Sequence, residues 1–199
     1  MMNEAAFLRF AGWAAYFNAT IFVLSLVALI IFFSIGGIWG RINDSLSVIW
    51  MISYIPIGVA LYLLTRPINA PISLVSTIVG IAAMLVFTVL QILLVIGGVT
   101  FEQTFTAVLT MTALVGLFVL IQALLARAGS LFPPGLIWAM VIYGLASMVG
   151  AVGFQIGGES HPLAMIGLLL TAIAGLVWVI WFGRYLLAEQ VAVTLTSSA

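Results

Sequence analysis

The sequence predicts an all-α fold: a polytopic transmembrane bundle of six helices, up-and-down, with short loops, forming a single integral membrane domain over 1–199. Three observations predict it. Hydrophobic residues make up 65% of the chain, against about half in ordinary soluble domains. Five basic and five acidic residues carry all the formal charge, and only Arg184, close to the end of the last one, lies within a long apolar run. The apolar runs span approximately 12–35, 45–65, 72–96, 104–126, 135–156 and 163–187. Each reaches the ~20 residues that cross a ~30 Å hydrocarbon core at 1.5 Å per residue. A transmembrane barrel needs shorter segments of alternating polarity. These runs are apolar on every face, so helices are the structure that satisfies their backbone in lipid.

The first run is longer than the apolar core of a secretory signal, and no small-x-small cleavage site precedes a soluble domain, so a retained helix is predicted. Ala11, Ala15 and Ala19 place a ridge of small residues on it. The second run contains Pro56, which lacks an N–H and frees the carbonyl of Ile52, predicting a kink beside Ser53 and Tyr54. The third and fourth carry the amides Gln91 and Gln122. On the fifth, Ala139, Tyr143, Ala146, Gly150, Gly153 and Gly157 recur at helical spacing and share one face. Small residues matter there because helix association in lipid depends on close backbone approach. The sixth follows Gly157-Gly158-Glu159-Ser160-His161-Pro162.

The joints repeat. Ile35-Gly36-Gly37, Ile96-Gly97-Gly98 and Ile156-Gly157-Gly158 recur 61 and 60 residues apart, and Arg9, Arg66, Arg127 and Arg184 recur at 57, 61 and 57. Three helical hairpins in series fit this pattern; so does the simpler preference for glycine where a helix must stop. With six crossings the four arginines share one side with both termini, and the other side carries Arg41 with Asp44, Glu102, Glu159 and His161. The positive-inside rule then predicts a plasma (inner) membrane protein with both termini cytoplasmic. Trp13, Trp138, Trp178 and Trp181 are predicted at the inner interface, Trp39 and Trp50 at the outer one. The tail Val191–Ala199 alternates apolar and polar residues and is expected to add to an exposed strand or to lie along a neighbour's surface.

Chemistry is narrowly bounded. The chain has no cysteine and a single histidine, and lysine is absent, so no haem, retinal or zinc site is supported. No other metal site is predicted, and no basic cluster suggests nucleic acid. No charge sits at mid-depth, where proton and ion pathways usually carry one. No catalytic residue is identified, and an enzyme is not expected. His161 is a candidate pigment or cofactor ligand, or else a solvated loop residue. Ser53, Tyr54 and Gln91 lie near one depth and are candidates for holding a small neutral solute; interhelical hydrogen bonding is the alternative. Asn18 and Gln122 form a similar candidate pair toward the inner side. The ridges Ala11, Ala15, Ala19 and Ala146, Gly150, Gly153 serve either the bundle's own packing or a partner face.

Arg9-Phe10-Ala11-Gly12, Leu124-Leu125-Ala126-Arg127 followed by Phe132-Pro133 and Trp138, and Leu176-Val177-Trp178 resemble the uncharacterised six-helix bacterial membrane family called domain of unknown function 4386. Members of that family tend to follow the proline with a basic and an aromatic residue, where this chain has Pro133-Pro134-Gly135. The resemblance implies a fold and a bacterial membrane location. It carries over no functional residue.

Three functional readings follow. The first is a non-catalytic accessory or structural subunit of a larger assembly, with the lipid bilayer and other membrane polypeptides as partners. The alternative is a protein that binds or transports a small neutral solute or lipid. The chain is similar in size to the substrate-binding subunits of energy-coupling-factor vitamin transporters, and Ala11-x-x-x-Ala15 is similar to the small-residue face on which those subunits dock. A lipid-modifying enzyme is a third.

Overall fold

The computed structural model describes residues 3–158 and 160–188. Among them are six helices: α1 (Glu4–Ile35), α2 (Trp39–Thr65), α3 (Ala70–Val95), α4 (Phe101–Ala128), α5 (Pro134–Gly157) and α6 (Pro162–Leu187). All six are long and apolar enough to cross a membrane. Consecutive helices pack antiparallel, α6 returns against α1, and a lighter α2–α4 contact crosses the middle. The result is a closed six-helix ring, so each hairpin is packed on both sides and none forms a separate unit. The joints are the short stretches 36–38, 66–69, 96–100, 129–133 and 158–161.

Helices α1 and α2 begin earlier than the apolar runs. The Asn3 side chain accepts from the Ala6 N–H at 2.7 Å, so α1 starts at Glu4 and carries Glu4 and Arg9 outside the apolar stretch. α2 likewise starts at Trp39 and holds Arg41 and Asp44 in its opening turns. Hydropathy marks the part of a helix that sits in hydrocarbon, whereas the hydrogen-bonded ladder runs on into the headgroup layer.

This extension moves Trp50. It lies roughly 16 Å along α2 from Trp39, near mid-depth rather than at the outer interface. Trp178 is also relocated, since it is fully buried in the bundle core. Trp13 and Trp138, by contrast, are the well-exposed indoles near the end that holds Glu4, Arg66 and Arg127. There Arg66 bonds Glu4 at 3.0 Å and the Arg127 guanidinium sits 5.9 Å from the Trp138 ring. Glu159 and the tail Val191–Ala199 lie outside the described residues.

At the opposite end, Gly36, Gly97 and Gly158 each take φ between 70° and 74°, a conformation that other residues adopt only with strain. In the first joint Gly37 does so as well, at 72°; in the second only the first glycine of the pair does, and in the third only the second. Helix termination therefore accounts for the recurrent glycines without an exact structural repeat.

Both small-residue ridges are spent inside the ring. Ala11 and Ala15 are fully buried and Ala19 nearly so. A Cβ built on Gly183 of α6 would lie 3.0 Å from the Ala15 Cβ and 3.0 Å from the Gly12 carbonyl oxygen, so the ridge closes the α1–α6 seam. On α5, a Cβ at Gly150 would meet the Leu168 nitrogen at 3.1 Å and the Gly167 carbonyl carbon at 3.2 Å, and one at Gly153 would strike Ala164 and Leu163. Ala146, Gly150 and Gly153 thus form the α5–α6 seam, and their use as a partner face is corrected. A ring of six helices needs one closing contact and five sequential ones, and the tightest backbone approaches go to those.

Candidate functional site

Three groups of polar residues in the membrane interior bear on the expected sites. Asn18 on α1 donates through Nδ2 to the Trp50 carbonyl at 2.7 Å and to Ser53 Oγ at 2.9 Å. Its Oδ1 accepts from Trp50 Nε1 at 3.1 Å. Ser53 in turn donates to the Trp50 carbonyl at 2.7 Å. This amide clamp joins α1 to α2 and occupies the Ser53 hydroxyl, which corrects its assignment to a solute site.

Gln122 on α4 is fully buried among α2 and α3. Its Oε1 accepts from Thr65 Oγ1, and its Nε2 donates to Ser76 Oγ at 2.8 Å, Thr77 Oγ1 at 3.2 Å and the Ser73 carbonyl at 3.3 Å. The pairing of Asn18 with Gln122 is therefore overturned: each amide has its own partners on different helices. Every contact of Gln122 is internal, as expected where lipid offers no alternative donor or acceptor.

The third group is different in kind. Tyr54 Oη, Gln91 Oε1 and Trp178 Nε1 are buried and make no hydrogen bond among the described residues. The structure separates Tyr54 from Gln91: Tyr54 lines a central cavity and Gln91 is not among its walls. The expected solute site of Ser53, Tyr54 and Gln91 is thus not assembled. Tyr54 instead faces residues of α5 and α6.

The cavity has a volume of about 160 Å³. Its walls are Asn18 and Phe22 of α1, Trp50 and Tyr54 of α2, Tyr143 of α5, and Leu168, Thr171, Ala172, Gly175, Leu176 and Val179 of α6. The residues of this α6 wall at Leu168, Thr171, Ala172, Gly175 and Leu176, like Phe22, are only half-buried, so the cavity opens sideways between α1 and α6 at mid-depth. Below it, Gly12 and Ala15 against Gly183 hold the two helices together. A much broader groove of about 820 Å³ between α1 and α2, with Phe10, Trp13 and Phe17 on its rim, is an apolar lipid-facing surface.

Aromatic packing holds the two tyrosines of the lining, with Trp178 against them and outside the lining. The Trp178 ring centroid lies 5.7 Å from that of Tyr54, edge-on, and 5.9 Å from that of Tyr143. Trp50 packs edge-on against Tyr54 at 6.3 Å. Gly175 leaves room for the Tyr143 ring, since a Cβ there would lie 3.2 Å from Cδ2 and Cε2. Neither the Tyr54 hydroxyl nor the Trp178 indole N–H closes a hydrogen bond among the described residues. Buried tyrosine and tryptophan usually find partners for these groups.

His161 serves α6. Its Nδ1 accepts from the Leu163 N–H at 3.3 Å, and its ring lies over Gly157. It caps a helix N-terminus and takes no part in the cavity, so the local geometry gives this candidate ligand a structural partner. Sequence reading did not pick out Tyr143, Trp178 or Gly175 as site residues. The one available signal was Tyr143 itself, the single large polar residue in an otherwise small-residue ridge.

Comparison with protein-family models, with curated proteins and with solved structures returns no match for this chain.

Proposed function

We propose that the protein binds a small neutral amphiphile, drawn from the bilayer through the gap between α1 and α6. One observation carries this reading: a cavity at mid-depth, open sideways between α1 and α6, is lined by apolar side chains together with Asn18, Tyr54, Tyr143 and Thr171. The walls are apolar with a few placed polar groups, the ordinary composition of a small-molecule site. A binding role rather than a catalytic one fits a lining that contains no charged side chain.

The accessory-subunit reading loses its main support, because both ridges offered for a partner are used inside the ring. The arginine asymmetry supports cytoplasmic termini and a plasma-membrane location. The resemblance to the six-helix bacterial family belongs to the same proposal.

Ala172 is half-buried on the cavity wall, so Ala172→Phe fills the cavity from its rim while leaving the seams untouched. Extraction of lipid-soluble compounds from the purified wild-type protein and from this variant, followed by mass spectrometry, tests the reading. A compound retained by the wild type and lost from the variant is the expected result. Identical extracts from two folded proteins would remove the support for a binding cavity.

A further inference from the structure

We infer that an anionic phospholipid seats in the cleft between the end of α4 and the start of α5, with its phosphate on Arg127 and an acyl chain running inward past Ile137 and Val141. The cleft has a volume of about 450 Å³ and shares no lining residue with the central cavity, so the two sites stand independently.

The mouth of the cleft is polar and preformed. Arg127, in the last turn of α4, and Ser130, in the joint that follows, both line it and are exposed. The Arg127 guanidinium sits 5.9 Å from the centroid of the Trp138 ring, and Trp138 is itself 57% exposed. Exposed indoles favour the membrane interface, the level at which phospholipid phosphates lie. The joint is tied down from both sides. The Ser130 N–H donates to the Arg127 carbonyl at 3.1 Å, which keeps Ser130 close to the helix end. From α6, the Tyr185 hydroxyl donates to the Leu131 carbonyl at 2.9 Å, and Phe182 packs edge-on against Phe132 at 5.6 Å. A site held in this way loses little freedom when it is filled.

Charge decides the head group. Arg127 is the one charged residue of the lining and has no carboxylate partner among the described residues, whereas Arg66 at the same end is already paired with Glu4 at 3.0 Å. A guanidinium meets a phosphodiester through two parallel hydrogen bonds. A zwitterionic head group would bring a cation that finds no acid in this lining, while an anionic one leaves the charges balanced. The apolar part of the cleft then assigns the phosphate to a lipid. Phe132 and Ile137 are buried beneath the mouth, and Val141 follows Pro134 by seven residues, roughly 10 Å further into the hydrocarbon. A free phosphate would leave that stretch uncovered, and an acyl chain covers it. Basic pockets between membrane helices hold anionic lipid head groups by the same combination.

The test titrates the delipidated full-length protein in detergent with dioleoylphosphatidylglycerol or dioleoylphosphatidylcholine and counts bound lipid by native mass spectrometry. The first phosphatidylglycerol is expected to bind about fivefold more tightly than the first phosphatidylcholine, the effect of one basic residue facing an anionic lipid. Arg127→Gln should bring the two affinities together. Arg184→Gln, which removes an exposed charge from the same end but outside the cleft, should leave the preference as it was. Val141→Phe narrows the apolar end with the cation in place and should weaken the binding of phosphatidylglycerol. Inorganic phosphate in large excess should not displace it. Equal affinity of the wild type for the two lipids, a preference undiminished in Arg127→Gln, or one lost equally in Arg184→Gln overturns the site. Displacement by inorganic phosphate, or phosphatidylglycerol held as tightly by Val141→Phe as by the wild type, overturns the assignment to a lipid.

Discussion

Replacing Gly167 by alanine places one methyl group between two helix backbones. A Cβ there would lie 2.5 Å from the Gly150 Cα and 2.9 Å from the Ala146 carbonyl oxygen, and closer still to the Gly150 nitrogen. Backbone atoms cannot swing aside, so α5 and α6 must part by roughly 1 Å to restore the ~3.5–4.0 Å separation of non-bonded carbons. A gap of that size forfeits a quarter to a half of each contact's ~0.1–0.2 kcal/mol. Over several tens of contacts along the seam, the loss is about 1–3 kcal/mol, the usual cost of overpacking. Alanine's better helix propensity, worth up to ~1 kcal/mol, offsets part of it. The net expectation is a destabilisation of about 1–2 kcal/mol. Gly150→Ala should cost less, because its nearest neighbours stand at 3.1–3.5 Å. Gly98→Ala serves as the control, since its Cβ would meet nothing nearer than 3.5 Å and its φ is not positive. Reversible unfolding in bicelles by titrated dodecyl sulfate, followed by circular dichroism, measures all three. Equal stability of Gly167→Ala and Gly98→Ala would refute the claim that the α5–α6 seam is set by backbone approach.

Other residues give independent checks. Asn18→Leu strips Trp50 Nε1 of its acceptor, so a loss of about 1–2 kcal/mol is expected in the same unfolding assay, together with altered indole fluorescence. Gln122→Leu should cost no more than about 1 kcal/mol, because Thr65 and Thr77 keep bonds to the Leu61 and Ser73 carbonyls; Gln122→Glu, which buries an ionisable group, should cost more. For orientation, a cysteine introduced at Glu102 in intact cells should react with an impermeant thiol reagent and one at Arg127 should not. The reverse pattern of labelling would invert the topology.

The fold was legible because hydrophobic length is the dominant signal in a lipid solvent, and all six helices contain their predicted apolar runs almost entirely. Helix starts were not, since Asn3 capping and the charged first turns of α2 extend helices beyond the hydrocarbon. The ridges on α1 and α5 were visible as small-residue spacing, but spacing cannot say which helix covers them. Here α6 covers both. The polar residues were visible as types and only partly as places. Ser53 and Tyr54 are adjacent in sequence and point to different sides of α2, one toward Asn18 and the other into the core, because successive residues on a helix lie about 100° apart. Depth along a helix axis brought Tyr54 and Gln91 level, and rotation about that axis separated them.

Polarity alone does not mark function in a chain of this kind; what distinguishes one polar group from another is whether the bundle has already used it. Asn18 and Gln122 are the two amides that a scan for intramembrane polarity would rank first, and both have their hydrogen-bonding groups engaged by neighbouring helices. Such residues fix the rotation of one helix against the next, and in lipid that is sufficient reason for their presence. The Tyr54 hydroxyl, the Trp178 indole and the Gln91 amide oxygen are left over after the same accounting, and of these three residues Tyr54 lines the cavity where α1 and α6 diverge above the Gly12–Gly183 contact. The same closing contact that completes the ring sets the lower limit of the opening. A larger residue at Gly183 would part α1 from α6 at that end and change the width of the cavity mouth. Fold and cavity are thus coupled through one pair of small residues, Gly12 and Gly183, neither of which lines the cavity.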